Sequence, residues 1–238
     1  MKVLLVTAHP DDECFFFGPT VLFFKEIGEI RLLCCSSGEY VPHATRYSSQ
    51  ELEKRQLNIK ETRRSELEAS WEILTGTKGT VTVFDGFVDH PHLSWNTQAL
   101  AEQIYSEARM QGITVIVTFD EAGVTGHSNH KAVAAALKEC PPPEGVRLLQ
   151  LHTCPAFIRY LPGVVSRVMY QRMWQTLEGR HVASLSPRQR HTVSRACRAH
   201  VSQRTWARAF VRRFSVLLSV NVLHSPEGER FLKELKDD

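Results

Sequence analysis

Along this chain, short continuously apolar runs give way to longer stretches in which apolar positions recur every three or four residues. Val3–Thr7, Ile30–Cys35, Thr80–Phe84, Ile113–Phe119 and Val146–Leu151 are of the first kind and predict strands. Gly18–Ile27, Ser49–Leu74, Thr97–Met110 and His130–Lys138 are of the second kind and predict helices. Gly76 closes the longest of these, and the "PPPEG" break at 141–145 follows the last. Strands separated by helices, with the central ones apolar throughout, predict an α/β fold. We expect a Rossmann-like open, mostly parallel sheet with helices on both faces. Beyond residue 152 the alternation fades into an Arg-rich stretch that reads as helical. Residues 1–155 are therefore expected to form an α/β domain, and 156–238 an extension packed on it.

That architecture fixes where chemistry belongs. In open parallel sheets, ligands bind beyond the carboxyl ends of the strands. The residues that follow the first four strands are His9-Pro-Asp-Asp-Glu, Ser36-Ser37-Gly38-Glu39, Asp85 and Asp120-Glu121, all expected at one edge. No G-x-G-x-x-G follows the first strand, which argues against a dinucleotide site.

Charge adds a second asymmetry. The net charge of +3 divides into +10 over 146–238 (16 Lys+Arg against 6 Asp+Glu) and −7 over the rest. From Arg147 to Arg213 every basic residue is arginine and the only acid is Glu178. Such a block suits an anionic partner, whether phosphate, lipid head groups or nucleic acid, and equally a solvated basic face. Residues 204–223, "RTWARAFVRRFSVLLSVNVL", mix arginines with Trp206, Phe210 and Phe214. They fit a segment lying in a head-group interface, or an ordinary core helix. Six cysteines without C-x-x-C spacing read as reduced thiols in a cytosol-facing compartment. Met1 and Lys2 lead straight into the first strand, and no run approaches the roughly 18–20 apolar residues of a membrane span, so the chain is expected not to be inserted.

Two clusters carry the chemistry: "HPDDE" (His9–Glu13) and "GHSNH" (Gly126–His130). Two imidazoles and a carboxylate brought from two strand-end loops can hold one divalent cation and leave positions open for water and substrate. Zinc and non-haem iron(II) both suit such a set. Each cluster alone also fits a helix start, with Asp11 or Asp12, or Ser128 or Asn129, as cap. A cap, however, needs one carboxylate and accounts for neither the histidine nor the second acid. Both clusters at one sheet edge favour the metal.

"VTAHPDDE" resembles the signature of LmbE-like zinc deacetylases, and "TFDEAGVTGHSNH" (Thr118–His130) is similar to their eukaryotic branch, the PIG-L family of N-acetylglucosaminyl-phosphatidylinositol de-N-acetylases. The likeness runs from residue 2 to about 152 and resumes at "HVSQRTWAR", His200–Arg208. It implies that His9, Asp12 and His130 bind one divalent metal, with Zn2+ expected. It also implies that Asp11 is the general base and that His127 stabilises the oxyanion. "ETRRSEL" resembles the family's G-E-x-R-x-x-E-L, which makes Arg63 and Glu66 the matching positions; Lys60 stands where glycine is usual, and Gly38 to Glu61 is longer than in most relatives. The implied substrate is the glycolipid, at the cytoplasmic face of the endoplasmic reticulum. The family's enzymes typically begin with a membrane-spanning segment that this sequence does not contain, so attachment is expected to be peripheral.

The residue types suit amide hydrolysis in their own right. Zinc lowers the pKa of a bound water from near 16 to about 7 and polarises a carbonyl. Asp11 can take that water's proton, and a cationic His127 can bond the oxyanion. Asp85 and Asp89 with Trp95 can line a sugar pocket, although Asp85 equally suits a turn cap. Asp120 can hold the other N–H of a ligand histidine. His200, Gln203, Trp206 and Arg208 fit either the substrate site or one face of a packed helix. His43, His90 and His92 lie in polar loops and read as surface residues. Two other functions remain open: deacetylation of a soluble N-acetyl sugar conjugate, and a basic phosphoinositide-binding or nucleic-acid-binding module with an inactive metal site. No nucleic-acid reader motif is present.

Overall fold

The computed structural model describes residues 1–41, 44–90, 93–160, 163–175 and 180–226. His43, His92 and the last twelve residues of the expected C-terminal extension lie outside the described residues. The strands are β1 (Lys2–Thr7), β2 (Glu29–Cys34), β3 (Val81–Val83), β4 (Val115–Phe119), β5 (Arg147–Leu151), β6 (Arg180–Ser184) and β7 (Val220–His224). They form one sheet in the order β3-β2-β1-β4-β5-β7-β6. The pairs among β1 to β5 are parallel, and β7 runs antiparallel to both β5 and β6. This is the expected open, mostly parallel α/β sheet.

The helices are α1 (Asp12–Phe15), α2 (Gly18–Ile27), α3 (Ser49–Thr75), α4 (Thr97–Gln111), α5 (Gly123–Gly126), α6 (Ser128–Glu139), α7 (Ala156–Arg159), α8 (Gly163–Gln175), α9 (Pro187–Ala199) and α10 (Trp206–Phe214). Their ends follow local chemistry. Ser48 and Asn96 accept from backbone N–H groups at the starts of α3 and α4, and Gly76 closes α3 with φ 80°. Connections from β1 through α2 and α3 step towards β3, whereas those through α4 and α6 step from β3 back past β1 to β5. Right-handed crossovers place the two helix pairs on opposite faces. Accordingly α2 packs on α3, and α4 on α6. Covered on both sides, Val3 to Val6 and Val115 to Val117 are at most 1% exposed.

The C-terminal segment differs from the helical expectation. It supplies α7 to α10, but also β6 and β7, which extend the sheet beyond β5. Residues 204–223 are not one element: α10 stops at Ser215, a 3-10 turn follows at Val216–Leu218, and β7 enters the sheet. The second half of that stretch is core and the first half is not.

Asn221 on β7 shows how the two ends of the chain are joined. The N-cap residue of α2, Phe17, makes no side-chain cap bond. In its place the fully buried Asn221 accepts at Oδ1 from Thr20 N (3.1 Å) and Thr20 Oγ1 (2.7 Å), and donates through Nδ2 to the Phe16 carbonyl (2.9 Å). Asn221→Ala would strand these groups without water. Urea unfolding should show a loss of about 1–3 kcal/mol, the usual cost of buried unsatisfied polar groups.

Candidate active site

The strand order reverses direction at β1, between β2 and β4, and the two candidate clusters leave the sheet at that point. After β1 the chain turns sharply. Asp11 occupies the cap position of α1 with φ 117° and ψ −17°, yet its side chain makes no cap bond. A left-handed, non-glycine backbone costs on the order of 1–3 kcal/mol and persists only where surroundings enforce it. The enforcing group is Glu13, whose Oε2 accepts from Asp11 N (3.0 Å). Its Oε1 accepts from Ser70 Oγ (2.5 Å) on α3 and from His200 Nε2 (2.8 Å) after α9. All three side chains are shut off from solvent. Burial alone would raise the Glu13 pKa, but the charge and hydrogen bond of His200, then Ser70 and the Asp11 amide, hold it below the usual value. Opposite that pull of burial, Glu13 raises His200.

Asp12 points the other way. Its Oδ2 accepts from the backbone amides of His9 (2.8 Å) and Ala8 (3.1 Å) and lies 3.7 Å from His9 Nδ1. Its Oδ1 is 3.3 Å from His130 Nε2. Burial opposes ionisation of Asp12, yet the neighbouring His130 and then His9 hold its pKa well below the carboxylate range. His130 shifts up in turn, because Asp12 outweighs its burial.

The second loop is built to aim His130. Its Nδ1 pairs with the Gly123 carbonyl at 3.0 Å, and its ring stacks on Phe119 with centroids 4.2 Å apart. Gly123 has φ 63°, and a Cβ there would press on the His130 Cβ at 3.0 Å. The next residue, Val124, also has a positive φ (59°, with ψ −57°), the conformation of a γ-turn. It is held by Thr153 Oγ1, which accepts from its N–H, and by the Arg159 guanidinium on its carbonyl.

His127 sits at the N-cap of α6, where its Nδ1 accepts from Asn129 N (3.2 Å). The cap is thus His127 itself and not Ser128 or Asn129. Burial, and then the adjacent His9 and His130, lower the His127 pKa. With Nδ1 accepting, the neutral ring carries its proton on Nε2.

The residues fit a divalent ion. Two ligand atoms about 2.1 Å from one tetrahedral ion lie roughly 3.4 Å apart, close to the 3.3 Å between Asp12 Oδ1 and His130 Nε2. Ligand nitrogens of His9, His127 and His130 all lie within 4.8 Å of one another. The fixed Nδ1 of His130 supplies the outer support that metal-binding imidazoles use.

A cavity of about 720 Å³ opens over these groups, lined by His9, Asp11, Asp12, His127 and His130 and walled by Arg63, Asp89, Tyr160 and Arg208. Arg63 donates through Nη2 to the Pro10 carbonyl (2.6 Å) and through Nη1 to that of Gly38 (2.8 Å). Gly38 is left-handed at φ 69°, and a Cβ there would overlap the guanidinium. The Asp11 carboxylate lies between two arginines: Oδ1 is 3.6 Å from Arg63 Nη2, and Oδ2 is 2.5 Å from Arg208 Nη2. Asp89 lies 3.3 Å from His9 Nε2 and 3.8 Å from Arg63 Nη1. Burial opposes its charge, but His9 and Arg63 prevail and lower its pKa.

Five further residues singled out in the sequence do not line the cavity. Asp85 is exposed and pairs with Lys60 at 3.5 Å, because β3 ends at the rim of the sheet. Trp95 is buried behind His9, its Nε1 donating to the Val88 carbonyl (2.9 Å). Asp120 accepts from Thr153 N and Oγ1 and from Gly123 N. It braces the loop that holds His130, while the His130 N–H itself goes to Gly123. His200 belongs to the Glu13 network. Glu66 accepts from Ser202 N (2.7 Å) and Oγ (2.6 Å), pinning a cavity-lining turn to α3. His90, read as a surface residue, is half-buried with its ring edge-on to cavity-lining Tyr40. Asn129, whose Nδ2 is 3.0 Å from His9 Nε2, was missed as a site residue, although its place beside His130 in "GHSNH" was the available signal. Arg159 and Tyr160 carried no sequence signal.

The Glu13 network gives a prediction. Glu13→Gln should keep the metal site and the fold, leave KM near wild type and lower kcat by roughly 10-fold, the low end of effects from groups that orient others. Steady-state kinetics with metal analysis checks it.

A family model described as PIG-L, GlcNAc-PI de-N-acetylase, matches residues 4–140. The N-acetylglucosaminyl-phosphatidylinositol de-N-acetylase of Bos taurus is 32% identical over 231 residues, covering 94% of this chain and 83% of the relative. A probable enzyme of the same name from Dictyostelium discoideum is 32% identical over 142 residues, 58% of this chain and 48% of the relative. Among solved structures, a zinc-inhibited teicoplanin deacetylase superposes with TM-score 0.62 at 16% identity, covering 94% of this chain and 97% of that one, a likeness of fold. With more than half the chain matched by the family model and nearly all of it by the bovine relative, this protein belongs to the PIG-L family.

Proposed function

We propose that the protein hydrolyses the N-acetyl group of N-acetylglucosaminyl-phosphatidylinositol to acetate and glucosaminyl-phosphatidylinositol, an early reaction of GPI-anchor biosynthesis. The observation that carries this reading is the division of the two adjacent carboxylates. Asp12 turns to the imidazole of His130, while Asp11, free of any cap bond, turns into the cavity. The names of the matching relatives supply the substrate.

His9, Asp12 and His130 would hold one divalent metal, and two imidazoles with a carboxylate make a catalytic zinc set. Bound there, the metal supplies Lewis-acid polarisation and an acidified water near neutral pH. Asp11 accepts the proton of the attacking water at its carboxylate and returns it to the departing amine. His127 donates from Nε2 to the oxygen on which negative charge develops. Arg63 and Arg208 hold Asp11 between them and keep its carboxylate aimed at the cavity. Arg63, Asp89 and Tyr160 wall the space open to the sugar. A glycolipid substrate sets the reaction at a membrane face, here the cytoplasmic side of the endoplasmic reticulum. Among the described residues no helix is long and apolar enough to cross a membrane.

Presenting the protein with N-acetylglucosaminyl-phosphatidylinositol in mixed micelles, and separately with free N-acetylglucosamine, tests the assignment. Acetate should appear with the glycolipid in step with the free amine. Turnover of the soluble sugar alone would contradict it.

A further inference from the structure

Helix α10 faces the wrong way for a core helix. Trp206, Phe210 and Phe214 recur every four residues and so form one stripe along it. The stripe turns outward: Trp206 is 85% exposed and Phe210 44%. Val201, just before the helix, is 56% exposed. The side turned inward carries Arg208 and Val211, both lining the cavity. At its edge Tyr160, another cavity residue, meets Phe210 with ring centroids 5.6 Å apart.

The arginines around this stripe are unusual as well. Arg208 pairs with Asp11, but Arg198, Arg204, Arg212 and Arg213 form no ion pair with a carboxylate among the described residues. Arg213 lies over the Phe214 ring at 5.6 Å, and Arg204 donates to the Arg198 carbonyl (2.8 Å). Unneutralised cations beside exposed aromatic side chains, on an amphipathic helix, match an interface between water and an anionic lipid surface. Aromatic and arginine side chains are also enriched at protein–protein interfaces, but a run of cations of one sign flanking the stripe is the pattern that an anionic bilayer surface attracts.

We propose that α10 docks on the anionic surface of a bilayer, with Trp206 and Phe210 inserted at head-group depth and Arg204, Arg212 and Arg213 on the head-group charges. Because Arg208 and Val211 on the same helix line the cavity, docking sets the cavity mouth against the lipid plane. The inference goes beyond the proposed reaction and stands on the exposed stripe and its arginines.

The test is co-sedimentation of the full chain with vesicles of phosphatidylcholine alone or with added phosphatidylserine, at two salt concentrations. Binding is expected on the anionic vesicles and should weaken as salt rises. Fluorescence should shift to the blue on binding as the exposed Trp206 leaves water. A Trp206→Ser, Phe210→Ser variant should lose that shift and most of the binding. A variant with Arg204, Arg212 and Arg213 changed to Glu should partition on the order of 100-fold more weakly, at roughly fivefold for each basic residue removed. Circular dichroism establishes that both variants are folded. If charge reversal unfolds the chain, Gln at the same three positions carries the same expectation. Absence of binding to anionic vesicles, which would leave the stripe to a protein partner, overturns the proposal, as does unchanged binding in the folded variants. No substrate is used, so neither outcome bears on deacetylation.

Discussion

His9→Ala and His130→Ala are each expected to yield a folded protein that has lost its metal and its turnover together. The two imidazoles come from loops after different strands, β1 and β4, and meet only because those strands are neighbours in the sheet. Each is oriented by groups of the protein itself. His130 is clamped between the Gly123 carbonyl and the Phe119 ring, and His9 lies against Asp89 and Asn129. Such preorientation means that most of the affinity comes from the ligand atoms themselves. Loss of one should weaken binding by more than the roughly 10–100-fold that follows loss of an outer support. Elemental analysis after dialysis should find about one equivalent in wild type, as a three-ligand site requires, and little in either variant. Full occupancy in both folded variants would remove the proposed ligand set.

Asp11→Asn and Asp12→Asn should fail for different reasons. The two residues are adjacent, equally buried and of the same type, so a general loss of negative charge would affect them alike. Their surroundings differ. Asp12 faces His130 and His9, and an amide there would lose both the charge and a ligand oxygen. Asp11 faces the cavity and two guanidinium groups and makes no contact that would bring it into the ligand set. Asp11→Asn should therefore retain metal while kcat falls by on the order of 10²–10⁴-fold, the contribution of a positioned general base. Asp12→Asn should lose metal first and activity as a consequence. Equal metal loss in the two variants would erase the distinction between ligand and base. Metal analysis and steady-state kinetics on the same preparations separate the outcomes.

The parallel half of this fold was legible in the sequence because its signals are local. Continuous apolar runs and the Gly76 stop each act within a few residues, and strands β1 to β5 lie close to their expected spans. The C-terminal strands were not legible. "RHVAS" and "VNVLH" are short and partly polar, and β7 is a strand because β5 and β6 flank it. The polar Asn221 within it is explained only by the distant end of α2. The candidate site divides in the same way. His9, Asp11, Asp12, His127 and His130 stand in two compact motifs, and the structure brings all five to one cavity. Glu13 stands in the first motif too, but its partner His200 is 187 residues away, and no pattern in either stretch announces the pairing. Asp85 and Trp95 were misplaced for a related reason. A position just after a strand brings a residue to the correct edge of the sheet, but the direction of its side chain depends on the loop.

Metal removal and restoration tests the central claim most directly. Acetate release from N-acetylglucosaminyl-phosphatidylinositol is measured on the wild-type protein as purified, after treatment with a chelator, and after adding back zinc. The account predicts that release stops in the stripped, still-folded protein and returns as about one equivalent is restored. Undiminished release from protein shown by elemental analysis to be metal-free would contradict it.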